Sequence, residues 1–140
     1  IEIIRVSEDT EFETVFAIRR EVFVEEQNVP EEDEYDGYEH IAHHYLAVFD
    51  GKAAGTARWR ITPGGKIKAE RFAVKKEFRG NGIAAALITA VLGDMPTHSE
   101  PYLNAQVDVI GLYEKFGFVA EGEEFDECGI MHRKMVLRRS

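Results

Sequence analysis

The sequence predicts an α+β fold in one domain covering residues 1–140. Three observations carry this. Three β-type runs, residues 45–49, 53–61 and 67–74, follow one another across the turn signals Asp50-Gly51 and Pro63-Gly64-Gly65, which implies an antiparallel meander. Segments with apolar residues at helical spacing lie on both sides of that meander. The 140 residues suit one domain and can bury a sizeable core without disulfides or metal.

In order, Ile1, Ile3 and Ile4 mark a first strand. Thr10-x-x-Glu13 has the form of a capping box, and Phe12, Val15, Phe16, Val22 and Phe23 give the helix one apolar stripe. Pro30 breaks or bends that run, and residues 31–39 are an acidic loop or short second helix. After the meander, residues 79–84 form a glycine-bearing turn that opens a helix buried through Ile83, Leu87, Ile88, Val91 and Leu92 and ended by Gly93 and Pro96. Residues 101–107 read as a strand, and 110–116 as a short helix stopped by Gly117. Residues 118–122 and 130–137 are closing strands, with 123–129 as the loop between them. There is no internal repeat and no linker.

Composition narrows the function. A net charge of −9 argues against a dedicated nucleic-acid binder. No apolar run approaches the roughly 18–20 residues of a membrane span. Residues 1–5 read as a strand and not as a signal peptide. Cys128 is the only cysteine, so no internal disulfide forms, and a reducing, cytoplasmic location is expected. Charge is unevenly spread: residues 21–51 carry ten carboxylates and no Lys or Arg, whereas residues 52–79 carry nine Lys or Arg and two carboxylates. The two stretches either attract each other or form a cationic wall for an anionic cofactor beside an anionic mouth for a cationic substrate.

The strongest chemical signal is Arg79-Gly80-Asn81-Gly82-Ile83-Ala84. Unpaired N–H groups and partial positive charge at a helix start suit an anion. Gly80 and Gly82 remove Cβ atoms that would hold a phosphate away, Ala84 keeps the first turn small, and Lys75, Lys76 and Arg79 add cations. An ordinary glycine-rich turn would share these residues. Gly80-x-Gly82-x-x-Ala85 also matches a dinucleotide fingerprint, but four charged or bulky residues separate Val74 from Arg79 and a meander precedes it, not a βαβ unit. No Gly-Lys-Ser/Thr follows, which excludes a Walker A loop.

Leu112-Tyr113-x-x-x-Gly117-Phe118 places a tyrosine on a short helix before a glycine stop. A phenol there can give a proton to a departing thiolate. Arg79-x-x-Gly82-x-Ala84 opening a helix, then a strand, then this tyrosine helix resembles the GNAT superfamily of CoA-dependent N-acyltransferases over nearly the whole chain. Residues 20–27, 103–106 and Gly129-Ile130-x-His132-x-x-Met135 resemble its small stand-alone YjcF/ElaA-type subgroup.

The resemblance implies a mixed, mostly antiparallel sheet flanked by helices, acetyl-CoA as co-substrate and an amine acceptor. It implies that Phe72, Ala73 and Val74 pair with the pantetheine arm like an added strand, and that the Val74 N–H polarises the thioester carbonyl. Arg79, Gly80, Asn81, Gly82, Ile83 and Ala84 would supply N–H groups to the pyrophosphate, and Tyr113 would protonate the CoA thiolate. Many members carry Asn seven residues before that tyrosine; here it is Gln106, with Asn104 on the same strand face as an alternative cofactor contact. An alkyl amine is mostly protonated at neutral pH, so a base is needed. Glu70 is the first candidate, placed by strand alternation on the face of Phe72 and Val74, unless it pairs with Arg58 or Arg60. Glu124, Asp126, Glu127 and His132 are weaker candidates.

His40 and His44 have i, i+4 spacing, but without a third ligand a strand start around His43 and His44 is preferred to a metal site. Cys128 carries no pattern of a nucleophile. A non-catalytic acyl-CoA binding or sensing module stays open beside the enzyme. The acidic stretch hints at a cationic acceptor, and the oligomeric state is open, a homodimer included.

Overall fold

The β-prone start forms the edge strand β1 (Glu2–Arg5), the first of seven strands in a computed structural model that describes residues 1–139. Helix α1 (Asp9–Arg19) follows. Its start lies before the expected Thr10–Glu13 box. The Glu11 carboxylate accepts the Ser7 and Glu8 N–H groups at 2.9 and 3.0 Å, and Glu8 is extended, so Thr10 already sits in the first turn. Helix α1 runs into a wider π-helical stretch, Arg20–Glu26, and Pro30 then precedes the single turn α2 (Glu31–Glu34).

The meander is β2 (His43–Phe49), β3 (Lys52–Ile61) and β4 (Ile67–Val74), antiparallel throughout. Asp50 and Gly51 take φ of 52° and 73°, the left-handed pair that a two-residue hairpin turn requires. Helix α3 (Ile83–Asp94) comes next. Gly93 does not end it: the helix continues to Asp94, and Met95 turns extended because Pro96 follows. Strand β5 (Tyr102–Gln106), helix α4 (Ile110–Glu114), β6 (Phe118–Glu127) and β7 (Ile130–Leu137) complete the chain. Most of the expected 123–129 loop is therefore strand. A bulge between Glu121 and Phe125 absorbs Gly122, and the reversal is confined to Cys128-Gly129, with φ of 54° and 81°.

The sheet order is β1-β2-β3-β4-β5-β7-β6, and every neighbouring pair is antiparallel except β4 with β5. One face packs α3, through Ile83, Leu87 and Val91, and α4 over Ala57, Trp59, Leu103 and Met135. The other packs α1 and the π-helical stretch, through Val15, Ile18, Val22 and Phe23, over Leu46 and Ala73. Among the described residues, no helix is long and apolar enough to cross a membrane.

Candidate functional site

Strand β4 carries an extra residue. Thr56 pairs with Ala73, yet Arg58 pairs with Glu70, so two residues of β3 span three of β4, and Arg71 takes φ of 59°. The bulge inverts the side-chain alternation. Phe72 and Val74 join the α3-side core, whereas Glu70 stands with Arg58 and Arg60 on the α1 side. This corrects the expectation that Glu70 shares the face of Phe72 and Val74: unbroken alternation does not survive an inserted residue.

Strands β4 and β5 are paired only at Lys68 and Tyr102. Beyond that point they part and leave a cleft of about 690 Å³. Its lining includes Phe72, Val74 and Leu103 from the α3 face and Glu70, Ala73, Asn104 and Gln106 from the α1 face, so the cleft opens through the sheet. Lys75 donates its N–H to Ala54 O on β3 at 2.9 Å. Alternation therefore turns the Val74 N–H away from β3, toward the space β5 has vacated.

At the α3 end, Gly82 is the N-cap with φ of 78°, and the first intrahelical bond runs from Ala86 N–H to Gly82 O. The N–H groups of Ile83, Ala84 and Ala85 thus lack helical acceptors. A Cβ built on Gly80 or Gly82 meets nothing within 4 Å, so both backbones face open space. These amides and this clearance fit a diphosphate. Asn81 uses its side chain to hold the turn, Nδ2 donating to Phe78 O at 2.9 Å. Arg79 does not turn its guanidinium to the cradle. Nε donates to Val74 O at 3.0 Å, and the two terminal nitrogens clamp Glu26 at 2.6 and 2.7 Å.

Tyr113 lines the middle of the cleft, edge-on to Phe72 and Phe118 at centroid distances of 5.6 and 6.1 Å. Burial pushes its phenol above the ordinary value, which keeps the proton on at neutral pH. On β5, Gln106 exchanges side-chain amide bonds with Gln27 at the end of the π-helical stretch, the shorter 2.9 Å, while Asn104 lines the cleft beside it.

At the opposite end the wall is Phe23, Gln27, Val29, Asp33 and Glu34, facing Glu127, Cys128, Ile130 and His132 of the β6–β7 hairpin. Behind it, Arg19, Arg58, Arg60, Lys68 and Arg71 meet Glu34, Asp36, Glu39 and Glu70 in one network. Glu70 alone contacts Arg58 and Arg60 at 2.7 Å and Lys68 at 3.3 Å. Burial opposes its charge, but the three cations together hold its carboxyl below the usual range. Glu34 goes the other way: burial raises it despite Arg19 and Arg71. Across the two stretches, Glu26, Glu34, Asp36 and Glu39 pair with Arg58, Arg71 and Arg79, so part of each attracts the other. Arg19, 1% exposed, is the most buried of the members that sequence reading missed, Lys68 and Arg71 being others. The signal was there: a cation three and four residues after Phe16 and Val15, on the stripe that α1 buries.

His43 and His44 leave β2 on opposite faces. His43 stacks on Trp59 at 4.1 Å between centroids, and His44 packs edge-on to Phe12 and binds Glu39 O, so the two do not converge. Cys128 is exposed, and burial and neighbouring Asp33 push its thiol up, the wrong direction for a nucleophile.

An acetyltransferase (GNAT) domain profile matches residues 6–139. The Bacillus subtilis protein named uncharacterized N-acetyltransferase YjcF is 36% identical over 133 residues, covering 91% of this chain and 93% of that protein. Among solved structures, an acyl-CoA N-acyltransferase from Pseudomonas aeruginosa superposes with a TM-score of 0.85 at 26% identity, covering 99% of this chain and 98% of that one. Escherichia coli ElaA shares the fold, with a TM-score of 0.80 at 24% identity over 99% of this chain and 100% of that one. The parted strands, the uncapped helix start and these likenesses converge, and the chain belongs to the GNAT family of acetyltransferases.

Proposed function

We propose that residues 1–140 form one N-acetyltransferase domain that moves an acetyl group from acetyl-CoA to an amine by direct attack with both substrates bound. The observation that carries this reading is the continuity of the cleft. Free α3 amides, an outward Val74 N–H, a protonated Tyr113 and an acid-lined mouth all face the same cavity.

The roles follow from position. Gly80, Gly82, Ile83 and Ala84 offer main-chain donors to the diphosphate, with Asn81 bracing the turn and Arg79 beside it. Phe72, Ala73 and Val74 flank the pantetheine arm, Asn104 lies across from them, and the Val74 N–H strengthens its bond to the thioester oxygen as charge develops there. Tyr113 gives its proton to the leaving sulfur. Glu70 holds Arg58, Arg60 and Lys68 in place; a carboxylate committed to three cations is a weak proton acceptor. Asp33 and Glu127 at the mouth favour a cationic acceptor, such as a polyamine, an aminosugar or a protein amine. The single cysteine and the acidic, soluble-type composition support a cytoplasmic location.

The test is free-thiol release from acetyl-CoA in the presence of spermidine, glucosamine or a lysine-containing peptide. Amine-dependent release supports the reading. Tight acetyl-CoA binding with no release on any amine would replace it with a non-catalytic acyl-CoA sensor.

A further inference from the structure

We infer that His132, backed by Glu127, takes the proton from the acceptor amine; this rests on the acetyl-transfer reading above. His132 lies on β7, in register with Gln106 of β5 on one side and Phe125 of β6 on the other. It is 7% exposed, yet it lines the cleft at the acceptor end.

Its ring is held in one state. Nδ1 lies 2.7 Å from Ile130 O, and a carbonyl only accepts, so Nδ1 carries the hydrogen. The neutral ring therefore presents its lone pair at Nε2. Glu127 Oε2 lies 3.5 Å from Nε2, placed to stabilise the ring once a proton arrives there. Phe125 lies against the imidazole, with centroids 6.0 Å apart and planes inclined by 23°, which limits its rotation.

The charged and titratable groups around this end come from four elements. Glu127 is on β6, Asp33 and Glu34 are on α2, Arg71 is on β4, and Lys134 is two residues along β7; Cys128 is at the hairpin turn. Arg71 is engaged by Glu34 and Asp36, and Lys134 by Glu121. Glu127 and Asp33 pair with no Lys or Arg among the described residues, and Glu127 is the carboxylate nearest the ring. The other groups are less available to an amine: Glu70 is held by three cations, both Glu34 oxygens are taken by Arg19 and Arg71, and the Cys128 thiol is pushed up.

The step balances. An alkylammonium gives one proton to His132 Nε2 and becomes a neutral amine. Its lone pair forms the C–N bond at the acetyl carbon, the C–S bond breaks, and the sulfur takes the Tyr113 proton. The surplus proton on the new amide nitrogen returns to the Tyr113 oxygen, and His132 releases its own to solvent.

The test uses whichever alkylamine of the panel the wild type acetylates. In H132Q, kcat/KM at pH 7 is expected to fall about a hundredfold and to lose its acidic limb, with the Kd for acetyl-CoA within about twofold of wild type. In E127Q kcat/KM is expected to fall about tenfold with the acetyl-CoA Kd within about twofold of wild type, because the protonated ring loses the anion 3.5 Å from Nε2. E127Q alters a half-exposed side chain, so it remains a test if H132Q does not fold. With an arylamine, already neutral at pH 7, the H132Q penalty shrinks to within about threefold. Nitrogen-15 NMR of the wild-type imidazole, which needs no turnover, is expected to show the Nδ1–H tautomer. H132Q within threefold of wild type with its acidic limb intact, an unchanged kcat/KM in E127Q, or an Nε2–H tautomer would overturn the inference and leave acetyl transfer standing. Absence of thiol release from the wild type itself would remove both.

Discussion

The two ends of the cleft are built differently. The α3 end draws on one short stretch, residues 79–85, and offers main-chain amides that any sequence with small residues there would present. The acceptor end is assembled from the π-helical stretch, α2, the bulged part of β4 and the β6–β7 hairpin, and it offers side chains. Its wall stands on buried ion pairs: Arg19 and Arg58 are 1% and 0% exposed. Binding through the backbone tolerates change almost everywhere except where a Cβ intrudes. Binding through side chains held by distant partners can be altered from many positions, and loses stability when a partner goes.

The sharpest way to break this comparison is Glu70→Ala. Removing one member of a buried ion network leaves Arg58 and Arg60 without their shared carboxylate, and the expected cost is about 3–5 kcal/mol, read by urea unfolding. Unchanged stability together with lost turnover would make Glu70 a reacting group and not a strut. Next is Tyr113→Phe, for which kcat is expected to fall about a hundredfold while acetyl-CoA affinity holds within about twofold. An unchanged kcat would remove the phenol from the chemistry.

Gly82→Val tests the backbone end. It forces a branched side chain into φ of 78° and into the space before α3. Stability should drop about 1–2 kcal/mol and acetyl-CoA affinity at least tenfold, by calorimetry, with the acceptor KM little changed. A weakened acceptor KM at constant acetyl-CoA affinity would mean the two ends are not separate.

A pH titration sharpens the contrast further. Asp36 is half-buried, but bonds to Arg58 and the Tyr38 N–H hold its carboxyl below the usual range; Glu70 is likewise depressed, its cations outweighing burial. Depressed groups contribute stability that is full above the unfolded value, about 4, and is lost as pH falls through the folded value. The melting temperature should therefore decline below about pH 4, and less steeply in Asp36→Asn. A decline equally steep in that variant would show that the network is not what acid titrates. The smallest expected effect is Glu26→Gln. It frees Arg79, an exposed pair of little worth, and should tighten acetyl-CoA binding by no more than about fivefold.

The α3 end was the legible one. Glycine pattern, helix start and tyrosine helix stand in the sequence as contiguous signals, because their chemistry is made within a few residues. The meander was legible for the same reason, its turns being two-residue affairs such as Asp50-Gly51. Errors arose where the backbone departs from a regular period. The Arg71 bulge moved Glu70 to the other face, the Gly122 bulge let β6 run through an expected loop, and the extended Glu8 set α1 going before Thr10. A bulge has no reliable composition, since it is selected by how the strand must bend to meet its neighbours.

Local chemistry, then, is what the chain by itself determined: element order, the antiparallel meander, the small-residue helix start and a tyrosine placed to follow it. The tertiary structure alone decided which carboxylates are spent on buried arginines and which remain free, and that His132 meets Ile130 O and Glu127 at the cleft wall. The physical reason is range. A turn or a helix start is settled by neighbours along the chain, but the state of a titratable group is settled by charge and burial in space, supplied here by segments up to a hundred residues apart, as Asp33 and His132 are.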